Sequence, residues 1–188
     1  MPIPKSIPAV HLTENRDSAT RQSQTTRAFP LGEPNRPSRA TGLDAIVRYL
    51  DVEHSPRYQR TPASTFCNIY ACDYCYLAGA YLPRVWWTST ALASFAQGRD
   101  VAVKYGVTVA ELSANALYDW LRDFGPTFGW TQTTSLDVLQ SAANAGQVAV
   151  ICVQAAVLSR PGHITAVIPE SAPTLTAQRQ GETVLMPL

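Results

Sequence analysis

Thr65-Phe66-Cys67-Asn68, running on into Ile69-Tyr70-Ala71-Cys72-Asp73-Tyr74-Cys75-Tyr76-Leu77, decides how the rest of the chain is read. Pro62, Ser64 and Thr65 are residues of the kind that open helices and cap their free N–H groups. The apolar run that follows predicts a helix from Cys67 to about Ala80. A thiol in the first turn of a helix feels the positive end of the macrodipole, which favours the thiolate. A free cysteine elsewhere usually just packs, so its position sets Cys67 apart from Cys72, Cys75 and Cys152.

Working outward, Leu43, Ile46, Val47 and Leu50 repeat at helical spacing and predict a short amphipathic helix ending before His54-Ser55-Pro56. Pro83 to Trp87 reads as an irregular aromatic segment. Helices are expected over Ser89–Ala96, over Val109–Phe124, and over Ser135–Ala145, where Gly146 marks the end. Gly125 to Trp130 is turn-rich. The period then switches, and Gln147–Gln154 and His163–Ile168 read as β-branched strands joined through Arg160-Pro161-Gly162. Thr183–Met186 is a third candidate strand. Helices first and strands last predict an α+β domain.

Histidine is scarce enough for elimination. His11 falls in a polar leader and His54 follows an acidic helix end, which leaves His163 at the head of a strand. Gly162 before it permits another backbone or a substrate to approach closely. A strand histidine alone is more often structural, but opposite a helix-start cysteine it completes a known chemical solution. Pairing with an imidazole lowers a thiol's pKa to roughly 3.5–7.5, the thiolate attacks a carbonyl, and the imidazolium protonates the leaving amine.

Thr65-Phe66-Cys67-Asn68, Asp73, the Pro83/Trp86/Trp87 segment, Gly129-Trp130 and Gly162-His163 together resemble NlpC/P60-like and CHAP-like peptidoglycan amidases. The form closest to this pattern is that carried by phage lysins and bacterial secretion-system effectors. The resemblance spans about residues 43–170. It implies a papain-like fold, with the nucleophile helix packed on a small antiparallel sheet, and cleavage of amide bonds in the peptide stem of the bacterial cell wall. By position it makes Cys67 the nucleophile and His163 the base. The third, orienting residue departs from the pattern: Glu170, Gln178 and Glu182 are the candidates, with Glu170 taken as the catalytic choice.

Around this pair, Tyr58, Asn68, Trp86, Trp87 and Trp130 are candidate substrate-binding residues. The duller reading stands beside each of them: core packing for Tyr58 and the tryptophans, helix capping for Asn68. Arg84 could pair with a stem-peptide carboxylate or simply lie at the surface. Asp73 lies on another face of the helix and reads as structural. Cys72-Asp73-Tyr74-Cys75 forms a CxxC, but a zinc site needs about four ligands and a thioredoxin-type motif opens a helix, so structural thiols are expected. No phosphate loop, Ser-His-Asp set or HExxH motif is present, and no metal or cofactor is expected.

A length of 188 residues and a formal charge of +1 fit one compact domain with no call for a nucleic-acid partner. No run reaches the ~18 apolar residues of a membrane span. The N-terminus lacks the continuous apolar core of a secretory signal. Synthesis in the cytoplasm, then delivery outside the cell or into a target-cell periplasm, is therefore expected, with an immunity protein or delivery apparatus as possible partners. Residues 1–41, rich in Pro, Ser, Thr, Gln and Arg, read as a flexible arm, leaving residues 42–188 as the domain. Two other functions stay open: a papain-like protease, deamidase or transglutaminase-like toxin acting on host protein, and a non-catalytic binding module on the same fold.

Overall fold

The computed structural model describes residues 7–10, 40–62, 64–170, 178–180 and 183–185. Its architecture is mixed α+β. In chain order the elements are α1 (Ala40–Leu50), α2 (Cys67–Leu77), β1 (Val85–Trp87), α3 (Ser89–Ala96), β2 (Val109–Glu111), α4 (Ala114–Asp123), α5 (Leu136–Asn144), β3 (Ala149–Val153) and β4 (His163–Val167). A short hairpin of β5 (Gln178–Gln180) and β6 (Thr183–Leu185) follows.

Helix α2 forms the axis of the core. Ile69, Tyr70, Ala71, Cys72, Asp73, Tyr74, Cys75 and Leu77 are all buried, so apolar contacts surround it rather than lining one stripe. Leu43, Ile46 and Leu50 of α1 pack on it from one side, and Ala114, Leu117 and Trp120 of α4 belong to the same core. Ala78 and Gly79, with φ +75° at Gly79, turn the chain out of the helix.

Serines start two of the other helices, Ser135 as expected and Ser113 not. Ser113 accepts from the Ala116 N–H and Ser135 from the Val138 N–H. The Ser113 cap also corrects the expected helix over Val109–Phe124: helix begins only at Ala114, and Val109–Glu111 is a strand. It pairs antiparallel with Val85–Trp87, in the register Val85↔Glu111 and Trp87↔Val109, so the expected irregular aromatic segment is a strand as well. Its three residues are all buried, and without alternation the run carries no period by which a strand is recognised.

Strands β3 and β4 pair antiparallel, with Cys152↔Ile164 and Val153↔His163 in register. Alternation gives this sheet two distinct faces. Val150, Cys152, Ile164 and Ala166 join the main core with α2 and α4. Ala149, Ile151 and Val167 form a separate cluster with Leu139 and Ala143 of α5. The third candidate strand, expected over Thr183–Met186, is formed over Thr183–Leu185 and pairs with Gln178–Gln180 rather than with β4; Met186 lies outside the described residues.

The leader is not wholly an arm. Ile7 and Val10 are buried in the main core, and α1 begins at Ala40. The rest of the leader, His11 included, lies outside the described residues.

Candidate active site

Cys67 is the first residue of α2, half-buried and free. Phe66 occupies the N-cap position, and no side chain caps the helix start, so Ser64 and Thr65 do not play the expected capping role. Asn68 does not cap either. Its Nδ2 donates to the Leu112 carbonyl at 2.9 Å, tying the head of α2 to the end of β2.

Another thiol, that of Cys152, stands close enough to Cys67 to feel its charge. Cys152, on the core face of β3, donates to the Ala114 carbonyl at 3.6 Å. Its pKa is pushed up to about 12, first by burial and then by the charges of Cys67 and Asp119. At neutral pH Cys152 is a neutral thiol and cannot serve Cys67 as a base.

The expected base is elsewhere. His163 opens β4, and Gly162 and Ile164 on either side of it face the core. A Cβ at Gly162 would meet Asn115 Oδ1 of α4 and, at 2.6 Å, the Val153 carbonyl oxygen. Ile164 is fully buried in the main core. Strict alternation therefore turns His163 to the opposite face, the one bearing Val167 and α5. There it is exposed, and no hydrogen bond joins it to Cys67. The expected Cys67–His163 dyad is not assembled in this conformation.

Glu170 cannot orient His163. It lies beyond the far end of β4, separated from His163 by at least four strand steps, about 13 Å. Asn144, just beneath, holds it: the Glu170 N–H donates to Asn144 Oδ1 at 2.8 Å, and Asn144 Nδ2 donates to Glu170 Oε2 at 3.1 Å. Of the fallback candidates, Gln178 contributes only a described backbone in β5, and Glu182 lies outside the described residues.

The candidate substrate residues are mostly structural. Tyr58 is buried, donates to Asp73 Oδ2 at 2.9 Å and packs edge-on against Tyr70. Asp73 also takes two hydrogen bonds from the Arg57 guanidinium, at 2.5 and 3.0 Å. This buried pair fixes the 51–60 loop to the middle of α2 and confirms the structural reading of Asp73. Burial, followed by the Asp73 charge, raises the Tyr58 phenol far above its usual range.

Trp86 is buried among Trp120, Phe124 and Phe128. Trp130, half-buried, donates its indole N–H to the Tyr81 carbonyl at 2.7 Å. Trp87 packs edge-on against Phe95 and donates to the Pro8 carbonyl at 2.8 Å. Each of the three is thus held by aromatic or backbone partners of its own. Arg84 is largely buried and faces Glu111 across the β1–β2 pair at 3.6 Å, so it is not a surface arginine. Cys72 and Cys75 are fully buried, with pKa values raised chiefly by burial, as structural thiols should be. Among the described residues, no cluster of His, Cys, Asp or Glu could hold a metal ion. No helix among them is long and apolar enough to cross a membrane.

Two features escaped the sequence reading. Asn115 organises the loop before β4: its Nδ2 donates to the Arg160 carbonyl at 2.9 Å, and its Oδ1 accepts from the Ala155 N–H at 3.0 Å. A lone asparagine in a helical pattern gives no sign of this. The docked Ile7–Val10 segment escaped because four residues carry no period.

No protein-family profile, curated protein or solved structure matches the chain.

Proposed function

We propose that the domain, in the conformation described, works by binding rather than by bond cleavage, as a non-catalytic module on an α+β scaffold. One observation carries this reading: sheet alternation sends His163 to the α5 face while Cys67 packs on the core face. A thiol without a base in reach lacks the proton transfers that peptide cleavage requires.

A second reading, a papain-like cysteine amidase acting on the peptide stem of peptidoglycan, is favoured by the setting of Cys67. It stands half-buried at the uncapped start of an eleven-residue helix, whereas Cys72 and Cys75 are sealed in the core. Under this reading β4 must change phase by one residue at its head to bring His163 to Cys67. His163 and its register partner Val153 are both exposed, but the change would also displace Gly162, which lies tight against Asn115 and the Val153 carbonyl, so the loop before β4 has to move with it.

Digestion of purified cell-wall sacculi separates the two readings. The binding reading expects the wild-type chain and Cys67→Ala to release equal, background amounts of stem peptide. Release by the wild type that both Cys67→Ala and His163→Ala abolish would overturn it and establish the amidase.

A further inference from the structure

The segment Ile7-Pro8-Ala9-Val10 lies on the core as a ligand lies in a groove. Its three hydrogen bonds to Tyr81 and Trp87 are all made through its backbone. The Trp87 indole donates to the Pro8 carbonyl at 2.8 Å. The Tyr81 hydroxyl accepts from the Val10 N–H at 2.8 Å and donates to the Val10 carbonyl at 2.9 Å. Both rings are set in advance by the core. Tyr81 packs against Trp120 and Phe128, with its carbonyl held by Trp130, and Trp87 packs on Phe95.

The segment's side chains follow the same logic. Ile7 and Val10 are buried, Pro8 between them is exposed and Ala9 is half-exposed. Burial of residues three apart, without regular secondary structure, is the pattern of an extended chain with three residues per turn. An aromatic groove with an indole N–H aimed at a backbone carbonyl is a known way of reading such a chain.

We propose that the groove of Tyr81 and Trp87 is a receptor for an extended, uncharged peptide of a partner protein, with two aliphatic side chains three residues apart, and that Ile7–Val10 is its resident competitor. Backbone contacts make the groove tolerant of sequence, and only the first and fourth side chains are selected. Two aliphatic side chains and three hydrogen bonds gain about as much as ordering four residues costs. The tether, which raises the effective concentration of the resident segment, therefore holds it in place while leaving it displaceable. The groove is built from Tyr81 and Trp87 and uses neither Cys67 nor His163. The inference is thus independent of whether Cys67 is catalytic.

The test titrates a fluorescein-labelled Ser-Ile-Pro-Ala-Val peptide into the full chain and reads polarisation. The double variant Ile7→Asp/Val10→Asp, with its own segment released, should bind the peptide at least tenfold tighter than the wild type. Adding Trp87→Phe should weaken that binding about tenfold, and a Ser-Asp-Pro-Ala-Asp peptide should not bind. Absence of saturable binding to a double variant that circular dichroism shows to be folded would overturn the proposal, as would equal binding of the aspartate peptide.

Should the double variant fail to fold, hydrogen exchange in Tyr81→Phe decides. The Val10 amide should exchange about tenfold faster while amides of α2 keep their protection, and unchanged exchange at Val10 would overturn the proposal. A wild-type dimer in light scattering that dissociates in the double variant would assign the groove to a second copy of the chain and likewise overturn it.

Discussion

Replacing Asp73 by Asn keeps the side-chain shape and removes the charge that Arg57 faces. Both side chains are over nine-tenths buried, and the carboxylate takes two hydrogen bonds from the guanidinium and one from Tyr58. Breaking a buried pair from one side costs about 3–5 kcal/mol, because the remaining charge loses its partner in a poorly solvated place. Domains of this kind have about 5–15 kcal/mol in total. With a urea slope of ~2 kcal/mol/M, the unfolding midpoint should fall by ~1.5–2.5 M. Tyr58→Phe, which removes one donor, should cost about 1 kcal/mol. The double change Arg57→Met/Asp73→Leu should recover most of the loss, since an apolar pair of similar volume replaces the ion pair without stranding a charge. Urea unfolding of the wild type, Arg57→Met, Asp73→Leu and the double variant closes a double-mutant cycle. A loss below about 1 kcal/mol for Asp73→Asn, or a double variant as unstable as the sum of its singles, would refute this account of the loop's attachment to α2.

Three further outcomes are expected. Gly162→Ala should destabilise by about 1–3 kcal/mol, since its Cβ would strike the Val153 carbonyl and the Asn115 side chain; unchanged thermal unfolding would contradict that close approach. Stability should fall as pH rises above about 9. The Cys72 and Cys75 thiols are raised by burial in the folded state, so it holds protons that the unfolded state releases. That contribution is fully present below the unfolded thiol pKa and is lost above it at about 1.4 kcal/mol per pH unit for each thiol, which urea midpoints between pH 8 and 11 would reveal. Iodoacetamide at pH 8 should label native Cys67 first, because Cys72 and Cys75 are sealed and the Cys152 thiol is pushed up to about 12; peptide mapping that found Cys152 labelled faster would refute this.

The sequence revealed helices better than faces. Ser135 announced its helix, and the spacing of Leu43, Ile46 and Leu50 announced α1, because caps and apolar periods are local signals. The same reasoning misread Val109–Glu111, where a strand runs almost directly into the Ser113 cap and three residues show no period. The candidate site depended on something less local. Gly162-His163 announces the head of a strand, but only the packing of its neighbours decides which face the histidine takes. Here Asn115 and the buried Ile164 claim the core side. The tryptophans were equally ambiguous, since an aromatic residue looks the same in sequence whether it lines a cleft or fills a core.

The docking of Ile7–Val10 also bears on how the chain is made. Its partners Tyr81 and Trp87 lie 71 and 79 positions from the residues they hold. On a ribosome these residues must wait until the groove, made later, has been synthesised and its core has closed, so the segment settles only after parts that are made after it. During that interval Ile7 and Val10 are open to any chaperone or partner that reads short apolar segments, and occupancy of the groove would mark the completed fold.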